Sequence, residues 1–89
     1  MSSIEELRAS ISEVDEQVIA LVAKRKEIAL AIGNYKKQRN LPVFDAEREV
    51  LLHKFHDKIS EKYNLAPEFI AKLFELLIEE SRKVQQNEC

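Results

Sequence analysis

A charged or amide side chain inside an apolar helical stripe is costly unless something pairs with it, and this chain of 89 residues carries such groups on three separate stretches. Arg25 takes the seam position between Leu21 and Ile28, in a series that is otherwise apolar from Ile4 to Tyr35. Arg48 falls one turn before Leu52, with Glu49 beside it. Farther on, the row Phe74, Ile78, Ser81, Gln85 changes from apolar to polar along one helical face. Each group has a plain structural explanation by itself. Arg25 would pair with a neighbouring carboxylate, Arg48 and Glu49 would be a solvated helix start, and Ser81 and Gln85 would mark where the stripe meets water. Together they describe a lined cavity in a helix bundle, where sites are built from side chains on facing helices. Guanidinium groups, a lysine and neutral donors, opposed by few acids, suit a small polyanion and most naturally a dicarboxylate.

Other chemistries lack parts. The sequence has no Cys–His pair for nucleophilic catalysis and no Gly-rich phosphate loop. His53 and His56 stand four and seven residues after Glu49, a spacing at which one helix can present three metal ligands, but no fourth partner is evident and no metal is expected. The basic run Lys36-Lys37-Gln38-Arg39 is not interleaved with the aromatics of a nucleic-acid groove. Fourteen basic side chains against sixteen acidic ones leave a net charge of −2, so no overall field draws the chain to nucleic acid or anionic lipid. Any anion site must be local. The one cysteine, Cys89, forbids an internal disulfide and reads as an idle thiol in a reducing compartment. Acidic residues in MSSIEELRAS, and no apolar run near the roughly 20 residues of a membrane span, lead us to expect a cytoplasmic protein.

The elements that must position these groups are helices. One glycine and two prolines leave little material for sheet turns, and Leu, Ile, Ala, Glu and Lys dominate; the expected class is all-α, in a single domain over residues 1–89. Ile4, Leu7, Ile11, Val14, Val18, Leu21, Ile28, Ile32 and Tyr35 alternate in threes and fours, which predicts one helix near residues 3–38. Ser3 and Glu6 form a capping-box pair at its start, and Asn40-Leu41-Pro42 stops it. A second helix near 45–63 starts at Asp45 as N-cap, and a third near 67–86 starts with Pro67 in its first turn. Ala66 is a poor cap for that third helix, so its start is the least defined boundary.

At 1.5 Å per residue the first helix is about 54 Å long, whereas a compact globule of this size is only about 30 Å across. Two shorter helices cannot cover a stripe of that length, which predicts a symmetric helical dimer. The alternative is a break near Gly33, or earlier, that folds the helix back on itself.

These features resemble the all-helical chorismate mutase family, including the mutase domains fused to prephenate dehydratase or dehydrogenase. The resemblance spans nearly the whole chain. It rests on LRxxIxxVDxxVIxLVAKR (residues 7–25), the segment from Gly33 to Lys36, LPVFDAERE (41–49), and LFELLIEES (73–81) followed by Gln85. It implies an intertwined homodimer that rearranges chorismate to prephenate in aromatic amino acid biosynthesis, with no cofactor or metal. It also implies roles: Arg8, lent by the neighbouring protomer, and Arg25 would bind the two carboxylates, with Ser81 assisting. Lys36 and Gln85 would donate to the ether oxygen, Glu49 with Asp45 nearby would hold the ring hydroxyl, and Arg48 would be a supporting charge on the wall. Arg25, Lys36 and Gln85 are thus the expected catalytic set. An intramolecular sigmatropic rearrangement needs no nucleophile, only selection of the compact conformer and donors for charge growing on the breaking C–O bond.

Two other readings stand beside it. Isochorismate pyruvate lyases resemble the same fold and use a similar pocket, although Glu49 and Ser81 depart from their pattern. A non-enzymatic coiled-coil dimerisation module would use the polar seam residues for register alone.

Overall fold

The computed structural model describes residues 3–87; Cys89, and with it the idle thiol, lies outside them. Three helices run α1 (Ile4–Gln38), α2 (Ala46–Lys62) and α3 (Pro67–Asn87), within one residue of the expected bounds. The chain is all-α, as its composition required.

Local signals account for each boundary. Ser3 caps α1, its Oγ accepting from Glu6 N at 3.1 Å, and Asp45 caps α2, its carboxylate accepting from Arg48 N at 3.1 Å. Both helices end alike. Asn40 and Asn64 take positive φ, 55° and 56°, a conformation asparagine tolerates better than most side chains. Each then lets the next amide reach back over the last turn: Leu41 N donates to Lys36 O at 2.8 Å, and Leu65 N to Ser60 O at 2.9 Å. The third helix starts at Pro67, whose missing amide proton costs nothing in a first turn.

No break occurs at Gly33; α1 is continuous through it. The molecule therefore measures 57 × 26 × 15 Å, with a radius of gyration of 16.4 Å against about 12 Å for a compact chain of this length. The third helix packs on both others, while α1 and α2 do not approach each other closely among the described residues. Only the C-terminal half of α1 is covered. Ile4, Leu7, Ile11, Val14, Val18 and Leu21 stay between 51% and 65% exposed, and among the described residues the buried positions reduce to Ala29, Gly33, Ser60 and Val84. A single copy of the chain encloses almost no core.

The close approach of α3 to α1 occurs at Gly33, which is buried. A Cβ added there would lie 3.0 Å from Gln85 Cα, 3.1 Å from its Cγ and 3.2 Å from its Cβ. The backbone of Gly33 is ordinary helix, so the glycine serves proximity rather than conformational freedom. That contact carries Gln85 up to α1 one turn before Lys36.

Candidate active site

Between the three helices lies a cavity of about 400 Å³, within the range of small-molecule sites. Its polar lining contains seven of the eight residues expected from the sequence: Arg25, Lys36, Asp45, Arg48, Glu49, Ser81 and Gln85. Apolar walls come from Ile28, Ile32, Leu52 and Ile78, which flank the polar positions on the same helical faces. The eighth residue, Arg8, is exposed on α1 and does not line the cavity of its own chain. Seventeen residues of helix separate it from Arg25, about 26 Å along the axis, so it cannot reach inward.

Arg25 is half-buried against α3. Its Nη1 donates to Leu77 O at 3.2 Å and to Ser81 Oγ in a short contact, while Ser81 Oγ donates to Leu77 O at 2.9 Å. The guanidinium also stands over the Phe74 ring, 5.9 Å from its centroid. Burial pulls the Arg25 pKa down from its ordinary value, yet a guanidinium stays protonated near neutrality. The charge on the seam is thus held by a carbonyl, a hydroxyl and a ring face rather than by a carboxylate, which keeps it available to an anion.

Lys36 Nζ donates to Val43 O at 2.7 Å and to Gln85 Oε1 at 3.3 Å. The first bond ties the ammonium to the loop before α2; the second orients the amide. With Oε1 turned to the ammonium, Nε2 is the end of Gln85 that an acceptor atom in the cavity would meet, and Lys36 keeps a third proton for the same atom. Two donors of this kind, one cationic and one neutral, suit an oxygen that gains negative charge during reaction.

Asp45 and Arg48 lie where α2 begins, joined by the capping bond. Glu49, one residue further, accepts through Oε1 from Arg82 Nη2. Four cationic side chains (Arg25, Lys36, Arg48, Arg82) and two carboxylates (Asp45, Glu49) therefore line the cavity. The balance favours an entering anion.

Sequence reasoning missed two polar lining residues. Arg82 follows Ile78 by four residues and so shares its face, a signal that was present but hidden among the charges Glu79, Glu80 and Lys83. His56 also lines the cavity, its ring 3.8 Å from that of Phe74. Desolvation, then the charges of Arg25, His53 and Arg48, lower its pKa against a smaller opposing pull from Asp57, so it is neutral at neutral pH. His53 does not line the cavity; its Nε2 sits 3.4 Å from Asp57 Oδ2, one turn further along α2. Among the described residues, no helix is long and apolar enough to cross a membrane, and no cluster of metal-ligating side chains forms.

Residues 7–86 match the chorismate mutase type II family. The chain belongs to that family. It is 38% identical over 79 residues to the bifunctional chorismate mutase/prephenate dehydratase of Buchnera aphidicola subsp. Schizaphis graminum, which covers 89% of this chain but 20% of that protein. The corresponding protein of Escherichia coli K12 is likewise 38% identical, over 80 residues. The chain thus spans about a fifth of the length of these bifunctional relatives. Against the chorismate mutase of Methanocaldococcus jannaschii it is 28% identical over 86 residues, 97% of this chain and 87% of the other. A solved structure of a conserved hypothetical protein from Pyrococcus furiosus superimposes with a TM-score of 0.70 at 32% identity, covering 97% of this chain and 99% of that one. The family's members are thus matched over the same helices that build the cavity.

Proposed function

We propose that this chain is a chorismate mutase, converting chorismate to prephenate, and that it works as an intertwined helical homodimer. The observation that carries the reading is the meeting of Lys36 and Gln85 at one end of a cavity whose other walls hold Arg25, Ser81, Arg48 and Glu49.

The chemistry follows from that layout. Chorismate is a dicarboxylate, and its reactive form folds the enolpyruvyl side chain over the ring. Arg25, helped by Ser81, takes one carboxylate; Arg8 of the second protomer takes the other. Two fixed cations at a set spacing select the folded conformer out of the extended ones, which converts binding into orientation. As the C–O bond breaks, its oxygen gains negative charge and meets the Lys36 ammonium and the Gln85 amide, while Glu49 accepts from the ring hydroxyl. A rate enhancement of ~10⁶ requires about 8 kcal/mol, which conformer selection and two preorganised donors can supply together.

The dimer part of the reading rests on surface. The chain exposes 7603 Å², whereas a compact monomer of 10.3 kDa exposes about 5,400 Å². The excess, roughly 2,200 Å² per chain, is of the scale buried in obligate dimers. The apolar stripe from Ile4 to Leu21 is part of that exposed surface, and Arg8 lies within the same stretch of α1. A second copy covering the stripe brings Arg8 to a pocket other than its own.

The test has two parts. Purified protein should consume chorismate, read by its ultraviolet absorbance, and form prephenate, with pyruvate release from isochorismate assayed alongside. Arg8→Ala and Arg25→Ala should each be inactive, but mixing them should restore about a quarter of wild-type activity, because half the dimers are mixed and each has one complete pocket. Absence of chorismate turnover refutes the activity; absence of complementation, with mixed dimers present, refutes the shared pocket.

A further inference from the structure

Arg82 is a cavity residue for which the reaction as outlined has no use. Three observations describe its setting. Its Nη2 donates to Glu49 Oε1, linking α3 to the first turn of α2. Its guanidinium lies over the Phe44 ring, 4.7 Å from the centroid, so the loop that precedes α2 forms the other side of its slot. Its Nε is buried and makes no hydrogen bond. An arginine that leaves one donor unsatisfied is held by its remaining contacts, here one carboxylate and one ring face.

Glu49 is the member of the cavity whose geometry most needs holding. It sits in the first turn of α2, next to Asp45 and Arg48, and a glutamate there has three rotatable side-chain bonds and water within reach. The Arg82 bond removes that freedom by engaging one carboxylate oxygen. A carboxylate has two oxygens and accepts several hydrogen bonds, so the other remains an acceptor for a hydroxyl. The Glu49–Arg82 pair, with His56 and Ile78, also forms the partition between the cavity and a neighbouring groove of about 490 Å³ between α2 and α3. A swung-out Glu49 would open one space into the other and move the acceptor out of reach.

We propose that Arg82 is a positioning residue for substrate recognition: extended from α3 over the Phe44 ring and bonded to Glu49, it fixes Glu49 as the acceptor of the substrate's ring hydroxyl and so helps set selectivity for the hydroxylated ring. This rests on the chorismate mutase reading above, and the test separates the two. kcat/KM is measured for chorismate and for an analogue with hydrogen in place of the ring hydroxyl, in the wild type, Arg82→Ala, Glu49→Ala and the double variant. Loss of Arg82 should lower the chorismate-to-analogue ratio roughly tenfold, the worth of one hydrogen bond to a charged group. In the Glu49→Ala background, removing Arg82 should leave the ratio unchanged. A general structural or electrostatic role for Arg82 lowers both rates together and leaves the ratio at the wild-type value, which overturns the proposal. So does an equal fall in the ratio with and without Glu49. Should Arg82→Ala fail to fold, Arg82→Met, which keeps an unbranched stem over Phe44, is read the same way. A wild-type protein that turns over neither compound overturns the chorismate mutase reading and this assignment with it.

Discussion

Replacing Gly33 by alanine tests whether activity depends on the spacing between α1 and α3. The added Cβ would stand 3.0 to 3.2 Å from three carbons of Gln85, one of them its Cα, where carbon pairs rest at about 3.5–4.0 Å. Backbone cannot rotate out of the way, so α3 must retreat by a few tenths of an ångström. Stability falls by about 0–2 kcal/mol: alanine gains up to about 1 kcal/mol of helix propensity over glycine, set against about 1–3 kcal/mol for overpacking. Activity is the sensitive quantity. The Lys36 Nζ to Gln85 Oε1 distance is already 3.3 Å, and a few tenths of an ångström more takes it past hydrogen-bond range. Since a misplacement of 1 Å can cost ~10²-fold in rate, the expected loss is about tenfold in kcat, with KM for chorismate nearly unchanged. Steady-state kinetics beside thermal unfolding measures both, with Asn34→Ala, exposed on the next residue of the same helix, as the control that should alter neither. A Gly33→Ala protein whose kcat stays within about twofold of wild type would refute the argument that this contact sets the donor geometry.

Three further outcomes follow from the same cavity. An amide donates at any pH, so wild-type activity should persist through neutrality, whereas Gln85→Glu must be protonated to donate and should shift the optimum to acid; equal rates for the two proteins at pH 8 would contradict the role given to Gln85. Lys36→Ala should lower kcat by ~10²-fold or more and raise KM less, because its contact strengthens as the ether oxygen gains charge; a change confined to KM would count against it. His56 has a lowered pKa in the folded protein, chiefly from desolvation and then from Arg25. The unfolded chain therefore takes up its proton first, and the stability His56 contributes is complete above its ordinary pKa and is lost as pH falls through the lowered one. Urea midpoints followed from pH 7 downward should decline more steeply in the wild type than in His56→Phe, and parallel curves would show that His56 is not responsible.

Much of this protein was legible one residue at a time. The three-and-four spacing from Ile4 to Tyr35, the caps at Ser3 and Asp45, the stop after Gln38 and the entry at Pro67 are each decided by neighbours within a turn or two. A polar group at an apolar position is equally visible, which is how Arg25, Ser81 and Gln85 stood out. The excess length of α1 over any compact chain also followed from counting residues. The structure added what depends on distances between helices. It brought Lys36 to within 3.3 Å of Gln85, 49 residues away, and it paired Glu49 with Arg82 rather than leaving it to solvent. Neither pairing has a local signature: Arg82 sits among the charges Glu79, Glu80 and Lys83 and reads as a solvated face until α2 is laid against it. Gly33 is the same case, a neutral defect in a helical pattern whose purpose shows only when α3 arrives at its bare Cα. Periodicity and caps are properties of a chain with itself over one turn of helix, whereas the depth and partners of a cavity are set by how closely separate helices approach. That approach is decided by side-chain volume at the crossing, and here by the absence of a single Cβ.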